Sequence, residues 1–356
     1  MKLSAYFALV PLVVAAPVID SRDASPLKVK IERVGNSKIR AVVSNRGTSA
    51  LNILKTGTVL DHAGVEKAQV YSQDNMDTVP FEGIRVIIDH GNLPSTAFVH
   101  IPAGGTAASE FDVAELHNLG QGGDYNIQTT GSFHYARDDS TTIEGAIAYK
   151  SNEIDAHIDG RQASSAYNVY HAKRAEKRSQ IGSGCTGDKL VTAQNALAGC
   201  AKRAQGAYEA AVNGSSAKME EYFKSSSQAT RSTVAQAFKK MAAECGTTNS
   251  GSTGYACTDI DNYCEQSGAV AYAELNVGST VYCEKYFTDI QPFSTQCHYG
   301  DQAGVTIHEM SHLTQIKGTS DFAGYGYDFV RSLSAEQNLN HADTYMLFAN
   351  AIQVGC

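Results

Sequence analysis

The chain has 356 residues, a length that favours two domains at about 150 residues each. Lys and Arg number 29 against 37 Asp and Glu, and the resulting net charge of -8 argues against a nucleic-acid partner. A hydrophobic content of 42% is enough for ordinary cores and excludes a chain disordered throughout.

Lys2 opens the chain, Leu3 to Val14 form an apolar run, and Ala15-Ala16 supply small residues before Pro17. This is the layout of a secretory signal peptide over residues 1–16, too short to span a membrane comfortably, and it predicts a secreted, extracellular protein with no membrane partner. Residues 28–34 and 38–43 alternate polar and apolar side chains around Gly35-Asn36, which predicts a β-hairpin. Residues 95–101 alternate in places, so the first half is expected to be β-rich, as a small sandwich.

Two dibasic pairs, Lys173-Arg174 and Lys177-Arg178, then mark a boundary. All eight cysteines follow it: Cys185, Cys200, Cys245, Cys257, Cys264, Cys283, Cys297 and Cys356. An even number in an exported chain predicts four disulfides, although sequence alone leaves 105 pairings. These features divide the chain into a propeptide over 17–178, released after Lys177-Arg178 by a dibasic-specific processing protease, and a mature part over 179–356. The mature part holds 17 acidic and 11 basic residues.

The mature part opens with apolar positions at helical spacing, Leu190, Ala193, Leu197 and Cys200, extended by Ala204 and Tyr208. A second helix is expected over 230–244, a short sheet within 255–288, and further helices around 305–316 and 334–352. Ser334 and Gln337 have the spacing of a capping box, as do Thr306 and Glu309. Asn213-Gly214-Ser215 is a glycosylation sequon at a predicted helix end, making Asn213 a candidate acceptor.

Within the third helix lies His308-Glu309-Met310-Ser311-His312. Positions i and i+4 share a helix face, so both imidazoles can address one metal ion while Glu309 sits beside its open position. Two neutral imidazoles and a carboxylate suit Zn2+, one per chain, and a carboxylate next to it can act as general base on water. For the third ligand, residues Gln315 and Gly318 fail the pattern that continues with Gly and a third His. Two carboxylates remain. Asp321 follows Gly318, which can end the helix and turn the chain back, whereas Glu336 opens a helix whose first turn favours a negative charge on its own account. Asp321 is the better candidate.

His308-Glu309-x-x-His312, Gly318-Thr319-Ser320-Asp321, Tyr325-Gly326-Tyr327 and the stretch Asn340-His341-Ala342-Asp343-Thr344-Tyr345 together resemble the deuterolysin (aspzincin) family of fungal secreted zinc endopeptidases. The resemblance implies zinc on His308, His312 and Asp321, Glu309 as catalytic carboxylate, and Tyr325 near the metal as an oxyanion donor; packing of the loop on the helix is the other role open to Tyr325. It also implies disulfides Cys185–Cys257, Cys264–Cys283 and Cys297–Cys356, leaving Cys200 with Cys245. The expected fold is α+β: a β-rich propeptide domain, then a mainly helical, disulfide-bonded zincin-like catalytic domain with a small sheet. The expected function is hydrolysis of internal peptide bonds by a zinc-activated water, on protein or peptide substrates and with a preference for basic proteins, by a monomer made as a latent proenzyme. The competing reading is a secreted, non-enzymatic binding or effector protein with a structural metal.

Overall fold

The computed structural model describes residues 25–172, 181–182, 184–247, 250–322 and 324–356. The expected signal peptide and both dibasic pairs lie outside them.

The first half is built almost entirely of strands, because its apolar residues recur at every second position. Leu27–Arg33 alternates buried and exposed and pairs with Lys38–Asn45 across the Gly35-Asn36 turn, in the register Arg33 with Ile39. Thr106–Asp112 adds to this hairpin as a third antiparallel strand. A four-stranded sheet runs Gly145–Lys150, Thr130–Ala136, Leu51–Leu54, Phe98–Ile101, and a three-stranded one runs Ile154–Ile158, Gly123–Gln128, Gln69–Ser72. One core joins all three sheets through Ile31, Ile39, Ile53, Ile127, Phe133 and Ile158, each at most 1% exposed. The strand expected over 95–101 begins only at Phe98; Ser95–Ala97 is a 3-10 turn, started by Pro94, which has no N–H for a ladder. A helix that the sequence reading did not anticipate, Gly160–Ala172, closes this half.

The second half is mainly helical. Gly187–Asn213 and Gln228–Cys245 pack along one another, and Gln302–His312 and Ala342–Val354 pack against the first of them. Ala193, Ala204 and Ala207 let the backbones approach, and Phe238, Phe348 and Tyr345 fill the space between. The expected final helix is interrupted: Ala335–Leu339 carries the Ser334–Gln337 capping box, and Ala342–Val354 begins anew after Asn340-His341. Disulfides join Cys185–Cys257, Cys200–Cys245, Cys264–Cys283 and Cys297–Cys356. Asn213 is the exposed last residue of its helix. No helix among the described residues is long and apolar enough to cross a membrane.

A small sheet links the two halves. Gly254–Ala256 lies parallel to Ser279–Tyr282, which pairs antiparallel with Ala269–Glu274. The fourth strand, Ile84–Ile88, comes from the first half and pairs antiparallel with Ala269–Glu274. His90, just beyond this strand, packs against His134 with the rings tilted at 4.5 Å and meets Tyr325 edge-on across the seam at 6.0 Å. Burial, with His134 adding to it, pushes its pKa down to about 3. A histidine kept neutral in this way contributes stability that is complete above pH 6.5 and is lost as pH falls toward 3, because the unfolded chain then binds the extra proton. The intact chain is expected to lose about 1.4 kcal/mol per pH unit through this residue between pH 6 and 4. His90→Phe should flatten that part of the pH–stability profile from chemical denaturation; an unchanged slope would show that His90 is not held neutral.

Candidate metal centre

The helix Gln302–His312 carries the H-E-x-x-H motif, and all eleven of its residues are buried. Its start differs from the expectation. The N-cap is Asp301, whose carboxylate accepts from the Gly304 N–H at 2.9 Å and from the Ser294 N–H at 2.6 Å. Thr306 lies in the second turn, where its hydroxyl donates to the Gln302 carbonyl at 2.8 Å, so Thr306 and Glu309 form no capping box. Arg203, from the long helix Gly187–Asn213, makes a bidentate ion pair with Asp301, the two side chains being 1% and 0% exposed. Beyond His312 the helix stops at Leu313, a turn before Gly318, and Gly318 takes φ +74° to close the loop, donating its N–H to the Leu313 carbonyl. That conformation suits glycine because it has no Cβ.

The loop that follows is fastened to the corner at 340–341. Ser320 bonds to the residues on either side of His341, its N–H donating to the Asn340 carbonyl at 2.7 Å and its carbonyl accepting from the Ala342 N–H at 3.1 Å. His341 Nε2 lies between the carbonyls of Asp321 (2.9 Å) and Gly324 (3.0 Å). These contacts bring Asp321 to the histidines: its Oδ1 is 3.2 Å from His308 Nε2 and 3.4 Å from His312 Nε2, while the two Nε2 atoms are 3.2 Å apart.

Proton positions explain what this trio lacks. His308 Nδ1 is 2.8 Å from the Asp343 carboxylate and His312 Nδ1 is 3.0 Å from the Thr319 carbonyl. Each acceptor claims the Nδ1 proton, so each Nε2 presents a lone pair. Two lone pairs and a carboxylate oxygen therefore converge, and their mutual repulsion calls for a cation. Ligand atoms in a tetrahedral zinc site, about 2.0–2.1 Å from the metal, stand about 3.3 Å apart, the spacing found here. His308, His312 and Asp321 are the one group among the described residues whose arrangement could hold a metal ion.

Burial opposes a charge on His308, but the carboxylates of Asp321 and Asp343 favour a positive charge at this point: they hold its pKa well above the ordinary histidine value, and a bound cation would supply that charge in place of the proton. Burial likewise opposes ionisation of Asp321, yet His312 and His308 keep it well below the usual carboxylate range. Burial pushes Glu309 well above that range, and neither of its oxygens has a hydrogen-bond partner among the described residues. A buried carboxylate left unpaired is costly, and its presence beside the trio is what a water-activating group requires.

The Tyr325 ring lies 6.0 Å from that of His308, and its hydroxyl donates to the Val86 carbonyl of the linking strand at 2.7 Å. Glu336 is exposed in the first turn of its short helix and is not part of the trio. Two positioning residues, Asp343 and His341, stood inside the quoted C-terminal stretch without a role assigned to either. Asp343 orients His308 with one oxygen and accepts the Gly326 N–H with the other, at 2.5 Å. Asp343→Asn is expected to weaken metal binding by about 10–100-fold, read as the free zinc concentration at half occupancy. Unchanged affinity would mean that the hydrogen bond does not set the His308 tautomer.

The motif helix, the fastened loop and the oriented trio are those of a metallopeptidase. A family model for the deuterolysin metalloprotease (M35) family matches residues 1–356. A neutral protease 2 homolog from Colletotrichum graminicola is 44% identical over the whole of both chains. One from Phaeosphaeria nodorum is 44% identical over 95% of this chain and 94% of its own. Neutral protease 2 of Aspergillus oryzae is 36% identical over 99% and 98%. A zinc peptidase from Grifola frondosa aligns with 47% of this chain and 97% of its own at 20% identity and a TM-score of 0.38, a likeness too slight to add to these. The chain belongs to the deuterolysin family and is a metalloendopeptidase acting on protein or peptide substrates.

Proposed function

We propose that the chain is a secreted proenzyme whose mature part, residues 179–356, cuts internal peptide bonds with one zinc ion held by His308, His312 and Asp321. The observation that carries this reading is the convergence of two Nε2 lone pairs and a carboxylate oxygen at 3.2–3.4 Å beside an unpartnered buried glutamate. Zinc there supplies Lewis acidity toward the scissile carbonyl and lowers the pKa of the attacking water. Asp343 and Thr319 hold the imidazoles in the tautomers that coordination needs. Glu309 takes the proton from the water and returns it to the leaving amine. Tyr325, once its hydroxyl is free of Val86, donates a hydrogen bond to the carbonyl oxygen as it gains charge.

Residues 1–16 act as signal peptide and 17–178 as propeptide, removed after Lys177-Arg178 by a dibasic-specific protease. Asn213 is the glycan acceptor and the enzyme works as a monomer. The 17 acidic against 11 basic residues of the mature part support a preference for basic proteins, through long-range attraction that salt should weaken. The structural-metal reading is less well supported: such sites usually close with four protein ligands, whereas this trio has three, and the neighbouring Glu309 is buried with no hydrogen-bond partner among the described residues.

The test is casein hydrolysis by the processed form with chelator and with zinc restored, together with zinc content for Asp321→Ala and Glu336→Ala. Activity is expected to vanish and return, and only Asp321→Ala should lose the metal. Zinc lost solely from Glu336→Ala would defeat the ligand assignment, and chelator-resistant hydrolysis would defeat the function.

A further inference from the structure

The strand Ile84–Ile88 is the outermost of the small sheet, and it shields the Ala269–Glu274 strand, which lies between it and Ser279–Tyr282. The Leu275 N–H donates to the Gly83 carbonyl at 3.0 Å, and at the other end the Asp89 N–H donates to the Gly268 carbonyl at 3.3 Å. Side chains anchor the strand on both faces. Ile84 and Val86 join Tyr263, Tyr272 and Val281 in one cluster, while Ile87 packs against the core of the helical half. Delivery of the strand depends on Gly83, where a Cβ would stand 2.1 Å from the Gly64 carbonyl oxygen.

Two of its contacts fall on the candidate active site. The Val86 carbonyl takes the Tyr325 hydroxyl. The strand also packs on the motif helix itself. An extended peptide bound through main-chain bonds to a sheet edge uses the same groups, and one edge accommodates one strand. We propose that Ile84–Ile88 holds the enzyme latent by occupying, as an antiparallel strand, the edge of Ala269–Glu274 on which an extended substrate would lie, with Val86 engaging the tyrosine that would otherwise meet the substrate carbonyl. This rests on the endopeptidase reading of the trio above.

The experiment uses the intact chain with Lys173, Arg174, Lys177 and Arg178 replaced by Ala so that it stays unprocessed, with and without Ile87→Pro. Proline inside a strand removes a donor and is tolerated poorly there, so the variant should cleave casein at least about tenfold faster than its unprocessed parent. Hydrogen exchange is followed in parallel in a Glu309→Gln background. The Leu275 amide should exchange at least about 100-fold faster once the chain is processed and the pro part removed, because its partner Gly83 has gone. Equal protection of Leu275 before and after processing would overturn the proposal, as would an unprocessed parent as active as the processed enzyme. Continued protection of the Lys38–Asn45 strand verifies that Ile87→Pro is folded. If it is not, the exchange comparison decides alone. A processed wild type that cleaves nothing would sink the endopeptidase reading, while the exchange result would still report whether the edge is covered.

Discussion

Glu309→Gln is expected to lower casein hydrolysis by about 10²–10⁴-fold while leaving zinc content unchanged. The amide keeps the shape of the side chain but cannot accept a proton from water at neutral pH. In this protein the substitution is close to a pure chemical change. Both Glu309 oxygens lack hydrogen-bond partners among the described residues, so no structural bond is broken by exchanging one for NH₂. The variant should fold as the parent does, and stability should rise slightly, since a buried unpaired acid costs more than a buried amide. The decisive measurement pairs turnover with metal analysis on the same preparation. Retention of more than roughly a tenth of wild-type turnover with full zinc would assign the base to another group. Loss of zinc along with activity would instead make Glu309 part of the metal's support.

The second large effect is on stability. Arg203→Ala should destabilise the helical half by about 3–5 kcal/mol, the usual cost of leaving one member of a buried ion pair alone. Arg203 and Asp301 are both essentially inaccessible to water, and Asp301 also caps the motif helix and holds the Ser294 N–H. The loss should therefore appear first where the helix begins. The amide of Val305, bonded to the Asp301 carbonyl at 2.8 Å, is the natural probe, with its exchange free energy compared between wild type and variant at pH 7. A change below about 1 kcal/mol would mean that solvent reaches Asp301 when the arginine is removed.

What sequence conveys and what it withholds follows from the range of the interactions. The motif helix and the hairpin at Gly35-Asn36 were legible because their periodicities are local. The start of the motif helix was misread at Thr306 because cap spacing recurs by chance, and the true cap draws on Arg203, 98 residues away. Nothing near Asp343 signals that it meets His308 across 35 residues; its place in the family-like stretch was the only available clue. Ile84-Arg85-Val86-Ile87-Ile88 has the composition of a strand, yet its partner begins at Ala269, in the other half of the chain. Pairing over such a distance leaves no trace in either segment alone.

The complete burial of Gln302–His312 has a consequence for how this protein can vary. In many enzymes the reactive side chains ride on surface loops, so chemistry and architecture can drift apart. Here the segment that carries the chemistry is also the centre of the packing, and Val305, Ile307 and Met310 are as constrained as the residues between them. A library built on this helix would mostly report folding failures, and new specificities are better sought in segments outside the core.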